Sequence, residues 1–217
     1  MIKLCYFNVR GLAETSRLLF AIGEEEYQDF RYPLEVINMK TYEMKKDEFE
    51  KDKQEGKLIH SLNKLPFIEV DNVIIPQSKA IERFLAERFN LMGNNPIEKA
   101  RIDSICECVR DFKELYQKVR KLPEEEKSNG MNQWFTITLV ELLKNIENLL
   151  DEDGYSVGSV MSLSDVVLYS FIKEFFDNKE ASYNATLASP KLRLIIDRVA
   201  SDERVKRWNE LRPETIF

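Results

Sequence analysis

The chain has 217 residues, of which 43% are hydrophobic, so it can form one or two domains with a substantial apolar core. Its 32 basic and 38 acidic residues give a net charge of −6, which disfavours a binding surface for nucleic acid or anionic membranes. The sequence contains no apolar run of about 18 residues that could span a membrane, and its first residues have the pattern of a strand rather than a signal peptide. We therefore expect a cytoplasmic protein.

Three cysteines and one histidine indicate neither a disulfide framework nor a metal site. Cys106 and Cys108 lie two positions apart on a predicted helix, so their side chains point about 200° apart and cannot share one metal ion. His60 has no second ligand at a useful spacing. We expect no metal cofactor.

The N-terminal half is predicted to contain both strands and helices. Ile2 to Phe7 predicts a strand, and a helix follows from about Leu12 to Ile22, with Gly23 as its C-cap. Tyr27 to Val36 is a second strand candidate. The segment from Lys40 to Lys57 carries six basic and six acidic residues, so their charges cancel and a basic patch is not expected. A short solvated helix or a solvated loop is the favoured interpretation.

The segment from Asn63 to Phe84 predicts a hairpin followed by a helix. Phe67 to Val70 and Val73 to Ile75 form its strands around an Asp71-Asn72 turn, because both turn residues tolerate unusual backbone angles. Pro76 cannot donate to a strand ladder, so the second strand is expected to end before it.

Two residue pairs flank these strands. The Leu65–Pro66 bond is expected to be trans on the residues alone, since cis bonds are uncommon even before proline. A cis bond would turn the N–H and C=O of Leu65 outward. Gln77 and Ser78 start the helix, where free N–H groups and the positive end of the dipole can bind a carboxylate. Two interpretations of Ser78 stay open: it caps the helix, or it donates to such a carboxylate.

The C-terminal half is predicted to be all helical. Apolar residues recur at helical spacing after Pro96 and predict one long helix, and a second periodic stretch runs from Leu139 to Leu150. Ser162 to Asp165 has the spacing of a capping box that starts a further helix. Two shorter helices are expected further on, over Pro190–Val199 and Glu203–Leu211. We expect an N-terminal domain over residues 1–85, a linker over 86–95 and a helical domain over 96–217.

Three motifs resemble those of cytosolic glutathione transferases, most closely the sigma-like, Tyr-type branch. They are Y-F-N-x-R-G-x-A-E-x-x-R from Tyr6, L-P-F-I-E-V-D from Leu65 and P-Q-S-K-A-I-x-R-F-L from Pro76. The resemblance covers essentially the whole chain. It implies a thioredoxin-like α/β domain with a mixed four-stranded sheet, followed by an all-α helical bundle. The redox Cys-x-x-Cys of the thioredoxin-like fold is absent from the sequence, so dithiol chemistry is not expected.

The resemblance implies that Tyr6 is the catalytic residue. A phenol O–H aimed at the glutathione sulfur stabilises the thiolate, which is the nucleophile. Such a bond is worth roughly 1.5–3 kcal/mol, or about one to two units of thiol pKa. Cys5 is the rival nucleophile, but alternation places it on the opposite face of the strand, where burial as a small apolar residue is the better interpretation.

The resemblance also implies a set of contacts with glutathione, the co-substrate. The backbone of Leu65, before a cis Pro66, pairs with the cysteinyl segment, and Gln77 with Ser78 holds the γ-glutamyl carboxylate. Further contacts are implied for Lys53 with Phe49 near the glycyl end, and for Asp111, which crosses the interface of a homodimer to reach the neighbour's γ-glutamyl amine. Phe49 stands where the family usually has Trp, so the Lys53 and Phe49 contacts are the weakest of the set, and a merely solvated Lys53 is the alternative.

A pocket for a hydrophobic electrophile is implied between the domains, with candidate lining residues Val9, Leu12, Lys118 and Val167. The prostaglandin synthase branch carries Arg, Trp and Tyr at the last three positions, so a prostaglandin isomerase activity is not indicated. The leading hypothesis is conjugation of glutathione to hydrophobic electrophiles in detoxification. The alternatives are a glutathione-dependent isomerase or peroxidase, or a non-catalytic carrier or structural protein on the same fold.

Overall fold

The computed structural model describes residues 1–38, 43–152 and 154–215. It divides into two compact units, which we describe separately. One unit is Met1–Leu85 with the segment that begins at Trp208, and the other is Ala86–Arg207. None of the helices in the described ranges combines the length and apolar character that a membrane span requires.

The first unit is built on a mixed four-stranded sheet. Its strands run in the order β2-β1-β5-β6, with β1 parallel to β2 and antiparallel to β5, and a small hairpin pairs β3 with β4. The bounds are β1 (Ile2–Phe7), α1 (Glu14–Gly23), β2 (Tyr27–Tyr32), β3 (Glu35–Asn38), β4 (Glu43–Lys45), α2 (Asp47–Gln54), β5 (Phe67–Val70), β6 (Val73–Pro76) and α3 (Ser78–Arg88). The predicted fold class is confirmed.

The hairpin between β5 and β6 forms as the sequence predicts. Asp71 and Asn72 take left-handed φ values of 49° and 65°, which match the twist of a two-residue hairpin turn. The Leu65–Pro66 bond is cis, so the trans expectation was wrong and the family resemblance was the better guide. Before proline the trans form is preferred by only about 0.5–1 kcal/mol, which the surroundings of the buried Pro66 outweigh. Pro76 is the last residue of β6, one residue beyond the predicted end.

Three boundaries in this unit differ from the predictions. The expected single strand over 27–36 is two strands, because Pro33 interrupts the ladder between Tyr32 and Glu35. The first helix opens with a 3-10 turn over Gly11–Ala13, and Glu24, with a φ of 49°, rather than Gly23, is the left-handed C-cap residue. In the charged segment 40–57, residues 40–42 lie outside the described residues; β4 was not expected, and α2 fits the predicted short helix.

The second unit is helical, as predicted. Its helices are α4 (Pro96–Arg120), α5 (Glu124–Gln133), α6 (Leu139–Glu147), α7 (Leu163–Lys173), α8 (Lys179–Asn184), α9 (Pro190–Ser201) and α10 (Glu203–Leu211), of which the last continues beyond Arg207 into the first unit. Asn95 caps α4 by accepting hydrogen bonds from the backbone N–H groups of Ile97 and Glu98, both over 3.0 Å. Helix α8 was not predicted, because its six residues are too short to show a period.

Two features of the second unit fix the course of its helices. The predicted capping box starts α7: Asp165 Oδ2 accepts from the Ser162 N–H at 2.7 Å, and Asp165 Oδ1 accepts from the Ser156 N–H at 2.6 Å. The periodic stretch from Leu139 to Leu150 forms α6, as predicted, and a wide π-helical turn over Trp134–Thr138 joins α6 to α5 before it. Aromatic rings pack around this turn, Trp134 lying 5.2 Å from the Tyr116 ring.

Candidate functional site

The sheet register brings the ends of three strands together next to three candidate residues. Cys5 lies opposite Phe67, which in turn lies opposite Pro76. Tyr6, Pro66 and Gln77 are the residues that adjoin these three in the chain, at the same end of the sheet. Neighbouring strands are about 4.8 Å apart, so the row from Cys5 to Pro76 spans about 10 Å. An extended tripeptide of roughly that length can therefore reach residues from all three strands.

The hydroxyl group of Tyr6 is held by the loop that follows β1. Its oxygen accepts a hydrogen bond from the Leu12 backbone N–H over 3.1 Å, which leaves the hydroxyl proton for another acceptor. Burial raises the pKa of Tyr6 more than the Leu12 N–H and the positive charge of Arg17 lower it. Tyr6 is therefore a neutral phenol at physiological pH and can act as a hydrogen-bond donor.

The absence of a side chain at Gly11 leaves room for the Tyr6 hydroxyl. A Cβ atom built on Gly11 would lie 2.7 Å from Tyr6 Oη, and the residue has a φ of +42°, which L side chains rarely adopt. Gly11 belongs to the recognised motif, but its contact with Tyr6 could not be predicted from the sequence. It follows that Gly11 is a positioning residue for Tyr6.

Backbone groups next to Tyr6 are available to a ligand. Within the described ranges, the N–H and C=O of Leu65 have no hydrogen-bond partner. Gln77 takes a left-handed φ of 77° between β6 and α3, and its carbonyl accepts the first hydrogen bond of the helix, from Ile81. Ser78 is the first helical residue, and its side chain makes no hydrogen bond to the part of the chain that the structure describes. A bound carboxylate is an obvious partner for such groups.

Below the loop lie charged groups whose role the sequence did not reveal. Arg17 is fully buried; its Nη1 donates to the Val9 carbonyl over 2.7 Å, and its Nε lies 3.2 Å from the Asp29 carboxylate. Glu14, also buried, accepts from Trp208 Nε1 at 2.9 Å and from Arg212 Nη1 at 2.6 Å. The motif letters A-E-x-x-R contain Glu14 and Arg17, and this was the only signal for them in the sequence.

Cys5 lies on the other face of β1, as alternation predicted. It is buried in an apolar cluster with Tyr32, Phe49, Leu58 and Phe67. Burial raises the pKa of its thiol to about 12, so the thiolate is unavailable at neutral pH.

The structure separates the two residues predicted near the glycyl end of glutathione. Phe49 is buried in the same apolar cluster as Cys5, where its ring packs edge-to-face on Phe7 and Tyr32. Lys53 is exposed on α2 and its ammonium lies 3.7 Å from the Glu50 carboxylate. Phe49 therefore supports the helix that carries Lys53, and a contact of either residue with glutathione stays a prediction.

The remaining candidates belong to different units. In the first unit, Val9 is buried and Leu12 is half exposed. In the second, Asp111 is exposed on α4 beside Arg110, at 3.2 Å, Lys118 is exposed seven residues further along the same helix, and Val167 is buried in α7. Their assignment to one electrophile pocket, and that of Asp111 to a dimer contact, stay predictions. In residues 1–38, 43–152 and 154–215, no three His, Cys, Asp or Glu side chains are arranged to hold a metal ion.

Comparison with known proteins places the chain in a family. The family model described as the C-terminal domain of glutathione S-transferase matches residues 110–212. The sequence is 34% identical over 215 residues to hematopoietic prostaglandin D synthase of Gallus gallus, with 98% of this chain and 97% of that protein covered. It is 30% identical over 214 residues to glutathione S-transferase S1 of Drosophila melanogaster, with 98% of this chain and 79% of that protein covered.

A solved structure agrees with these relatives. Monomeric Na-GST-3, a glutathione S-transferase from the hookworm Necator americanus, aligns over 100% of this chain and 99% of its own, with a TM-score of 0.81 and 30% identity. The chain therefore belongs to the glutathione S-transferase family.

Proposed function

We propose that this protein is a sigma-like, Tyr-dependent glutathione transferase that conjugates glutathione to hydrophobic electrophiles. The observation that carries the proposal is the Tyr6 hydroxyl, whose oxygen accepts the Leu12 N–H at 3.1 Å while its proton is left for a ligand. Glutathione S-transferase S1, a named relative, supports the reaction class.

Activation of the thiol follows from this geometry. A free thiol has a pKa of about 8.5, so only a small fraction is thiolate at neutral pH. Tyr6 donates to the sulfur as a neutral phenol, and a hydrogen bond to a charged acceptor is worth roughly 1.5–3 kcal/mol. The thiol pKa falls by about one to two units, close to the pH of the cell, so the bound thiol releases its proton to solvent. The thiolate then forms a C–S bond with the electrophilic carbon as a leaving group departs with its electron pair or, in an addition, as the displaced π electron pair takes up a proton.

The row of residues beside Tyr6 binds the rest of glutathione in this proposal. The N–H and C=O of Leu65, next to Pro66, pair with the cysteinyl backbone in the manner of a short strand. Gln77 and Ser78, at the start of α3, hold the γ-glutamyl carboxylate through N–H and hydroxyl donors. Lys53, supported by Phe49, attracts the glycyl carboxylate.

The protein is proposed to act in the cytoplasm, in detoxification, as a homodimer. Residues 1–85 are proposed as the glutathione-binding domain, 86–95 as the linker and 96–217 as the helical domain, although the segment from Trp208 belongs to the first compact unit. Asp111 reaches the γ-glutamyl amine bound to the neighbouring subunit. Sedimentation of the purified protein tests the dimer, and a monomer that still binds glutathione with full affinity would contradict this role of Asp111.

The electrophile is proposed to bind beside the sulfur on mainly apolar residues. Its candidate lining residues are Val9, Leu12, Lys118 and Val167. A glutathione-dependent isomerase is the second candidate, since the relative that is 34% identical is named hematopoietic prostaglandin D synthase. Product analysis decides between them: isomerisation regenerates glutathione, whereas conjugation consumes it.

The decisive experiment is the ultraviolet absorbance of the bound glutathione thiolate as a function of pH, in the wild-type protein and in Tyr6→Phe. The thiol is expected to titrate about one to two units below free glutathione in the wild type and near the free value in the variant. Failure to bind glutathione would refute the transferase hypothesis and favour a carrier or structural role. Binding with an unshifted thiol in both proteins would refute the assignment of Tyr6.

A further inference from the structure

Under the loop that follows Tyr6 lies a connected set of buried polar groups, which we call the Glu14 network and define as Glu14, Arg17, Trp208 and Arg212. Glu14 Oε1 accepts hydrogen bonds from Trp208 Nε1 at 2.9 Å and from Arg212 Nη1 at 2.6 Å. Its second oxygen lies 3.5 Å from Arg17 Nη1. The side chains of Glu14 and Arg17 are 2% and 0% exposed, so water cannot replace these partners.

Arg17 joins the network to the backbone of the loop. Its Nη1 donates to the carbonyl of Val9 at 2.7 Å, and its Nη2 donates to the carbonyl of Phe7 at 3.4 Å. The same loop ends at Leu12, whose N–H holds the Tyr6 hydroxyl. The position of the Tyr6 hydroxyl therefore depends directly on the Leu12 N–H and, through the backbone of the loop, on Arg17.

We propose that Glu14, Trp208 and Arg212 are positioning residues that hold Arg17 against this loop and thereby set the hydrogen bond between Tyr6 and the glutathione sulfur. Trp208 and Arg212 stand 194 and 198 positions after Glu14, so the C-terminal segment of the chain becomes part of the thiol-activating machinery. The inference rests on the proposed function and adds residues to it.

The charges of the network support the proposal. The positive charge of Arg17 lowers the pKa of Tyr6, although burial outweighs it, so Arg17 favours negative charge near the hydroxyl. The carboxylate of Glu14 lies 3.5 Å from Arg17 Nη1, and Arg212, which donates to the same carboxylate at 2.6 Å, compensates its negative charge. Without Arg212, the uncompensated carboxylate of Glu14 would interact more strongly with Arg17 and weaken its effect at Tyr6.

Other ionisable groups face Arg17 from β2. Asp29 Oδ2 lies 3.2 Å from Arg17 Nε and 2.6 Å from Arg31 Nη2, so the two β2 residues largely compensate each other. Tyr27 also faces this cluster, and burial raises its pKa, which keeps it neutral. A change at Arg212 therefore acts on Arg17 mainly through Glu14.

The test is the pH titration of the glutathione thiolate bound to Arg212→Met, which removes the guanidinium and keeps an apolar stem. We expect the thiol pKa to rise by about 0.5 to 1 unit and kcat/KM at pH 6.5 to fall about three- to tenfold, with less than about a twofold change in the KM for glutathione. Arg212→Lys is expected to recover at least half of the pKa change. Lys206→Met removes the same charge from an exposed position on α10, where Lys206 pairs with Glu203, and should titrate as the wild type.

The outcomes separate this inference from the proposed function. The inference fails if folded Arg212→Met and Trp208→Phe both keep the wild-type pKa of the bound thiol while Tyr6→Phe raises it in the same assay. The Tyr6 mechanism would still stand in that case. If Arg212→Met does not fold, Trp208→Phe, which removes a single N–H donor, decides in the same assay. A wild-type protein that binds glutathione with an unshifted thiol refutes the proposed function instead.

Discussion

The backbone N–H of Leu12 donates to the hydroxyl oxygen of Tyr6 over 3.1 Å, six residues back along the chain. A tyrosine hydroxyl can accept and donate at once, and this bond occupies an accepting site. The loop after β1 thus orients the hydroxyl proton before any ligand binds. Such preorganisation is how enzymes avoid reorganising their own dipoles during a reaction.

Gly11→Ala is expected to displace the Tyr6 hydroxyl, because the new Cβ would lie 2.7 Å from it. We expect kcat/KM for conjugation to fall at least about tenfold and the thiol pKa to rise by about one unit. The control is Gly56→Ala: Gly56 also has a left-handed φ, +76°, but nothing lies within 4 Å of its Cβ position. Equal losses of activity in both variants would show that backbone strain, not displacement of Tyr6, is the cause.

Ser78→Ala distinguishes the two interpretations of this hydroxyl. If Ser78 donates to the γ-glutamyl carboxylate, the KM for glutathione rises about ten- to a hundredfold, the value of one hydrogen bond to a charged acceptor, and the stability of the free protein is unchanged. If it caps α3, the free energy of unfolding falls by about 1 kcal/mol and KM stays constant. Asn95→Ala provides a reference for true loss of a cap, since Asn95 accepts from two N–H groups of α4. Urea unfolding and steady-state kinetics on the same samples check both.

Lys53→Met tests the predicted contact with the glycyl carboxylate. An exposed ion pair is worth about 0.2–1 kcal/mol, so we expect the KM for glutathione to rise about two- to fivefold while kcat is retained. Lys51→Met removes the same charge from α2 two residues earlier, on a different side of the helix, and is expected to behave as the wild type. If the two variants have equal KM values for glutathione, Lys53 contributes only to the overall electrostatic field and makes no specific contact with the glycyl carboxylate.

The pair of Arg101 and Asp151 gives the second unit a dependence on pH. The guanidinium of Arg101, at 2.7 Å, and then the Gly158 N–H hold the pKa of Asp151 below its usual value. Stability from a depressed carboxyl pKa is present above the unfolded value of about 3.9 and is lost as pH falls through the folded value. Both side chains are partly exposed, 41% and 31%, so screening limits the contribution to about 0.5–1 kcal/mol.

Arg101→Met should therefore lower the free energy of unfolding at pH 7 and match the wild type near pH 2.5, as measured by urea unfolding. Lys206→Met, which breaks an exposed pair on α10, serves as the control for a generic charge change. A gap between Arg101→Met and the wild type that persists at low pH would point to packing of the arginine stem rather than to its charge.

Local patterns made much of the fold predictable. The Asp71-Asn72 turn, the capping box from Ser162 to Asp165 and the long α4 each depend on residues close together in sequence, and each formed as expected. The π-helical turn over 134–138 was not predictable, because its residues have an ordinary helical pattern and only packing selects the wider turn.

The surroundings of Tyr6 were less predictable for a related reason. A motif identified Tyr6, but the partners of Glu14 come from Trp208 and Arg212 at the far end of the chain. Only tertiary structure brings such groups together. Phe49 shows the same limit: only the structure reveals that its ring lies in the apolar cluster, and its contact with glutathione stays a prediction.

The contact between Gly11 and Tyr6 also constrains the order in which mutations can accumulate in a lineage. Any side chain at position 11 collides first with the hydroxyl at position 6, so loss of that hydroxyl removes the nearest obstacle. Removal of the hydroxyl would still leave the ring atoms Cε1 and Cζ of Tyr6 at 3.0 and 3.2 Å from a Cβ at position 11, and the left-handed φ of +42°. Glycine at position 11 is therefore favoured twice over, by the turn and by the tyrosine, and a substitution there has to overcome both.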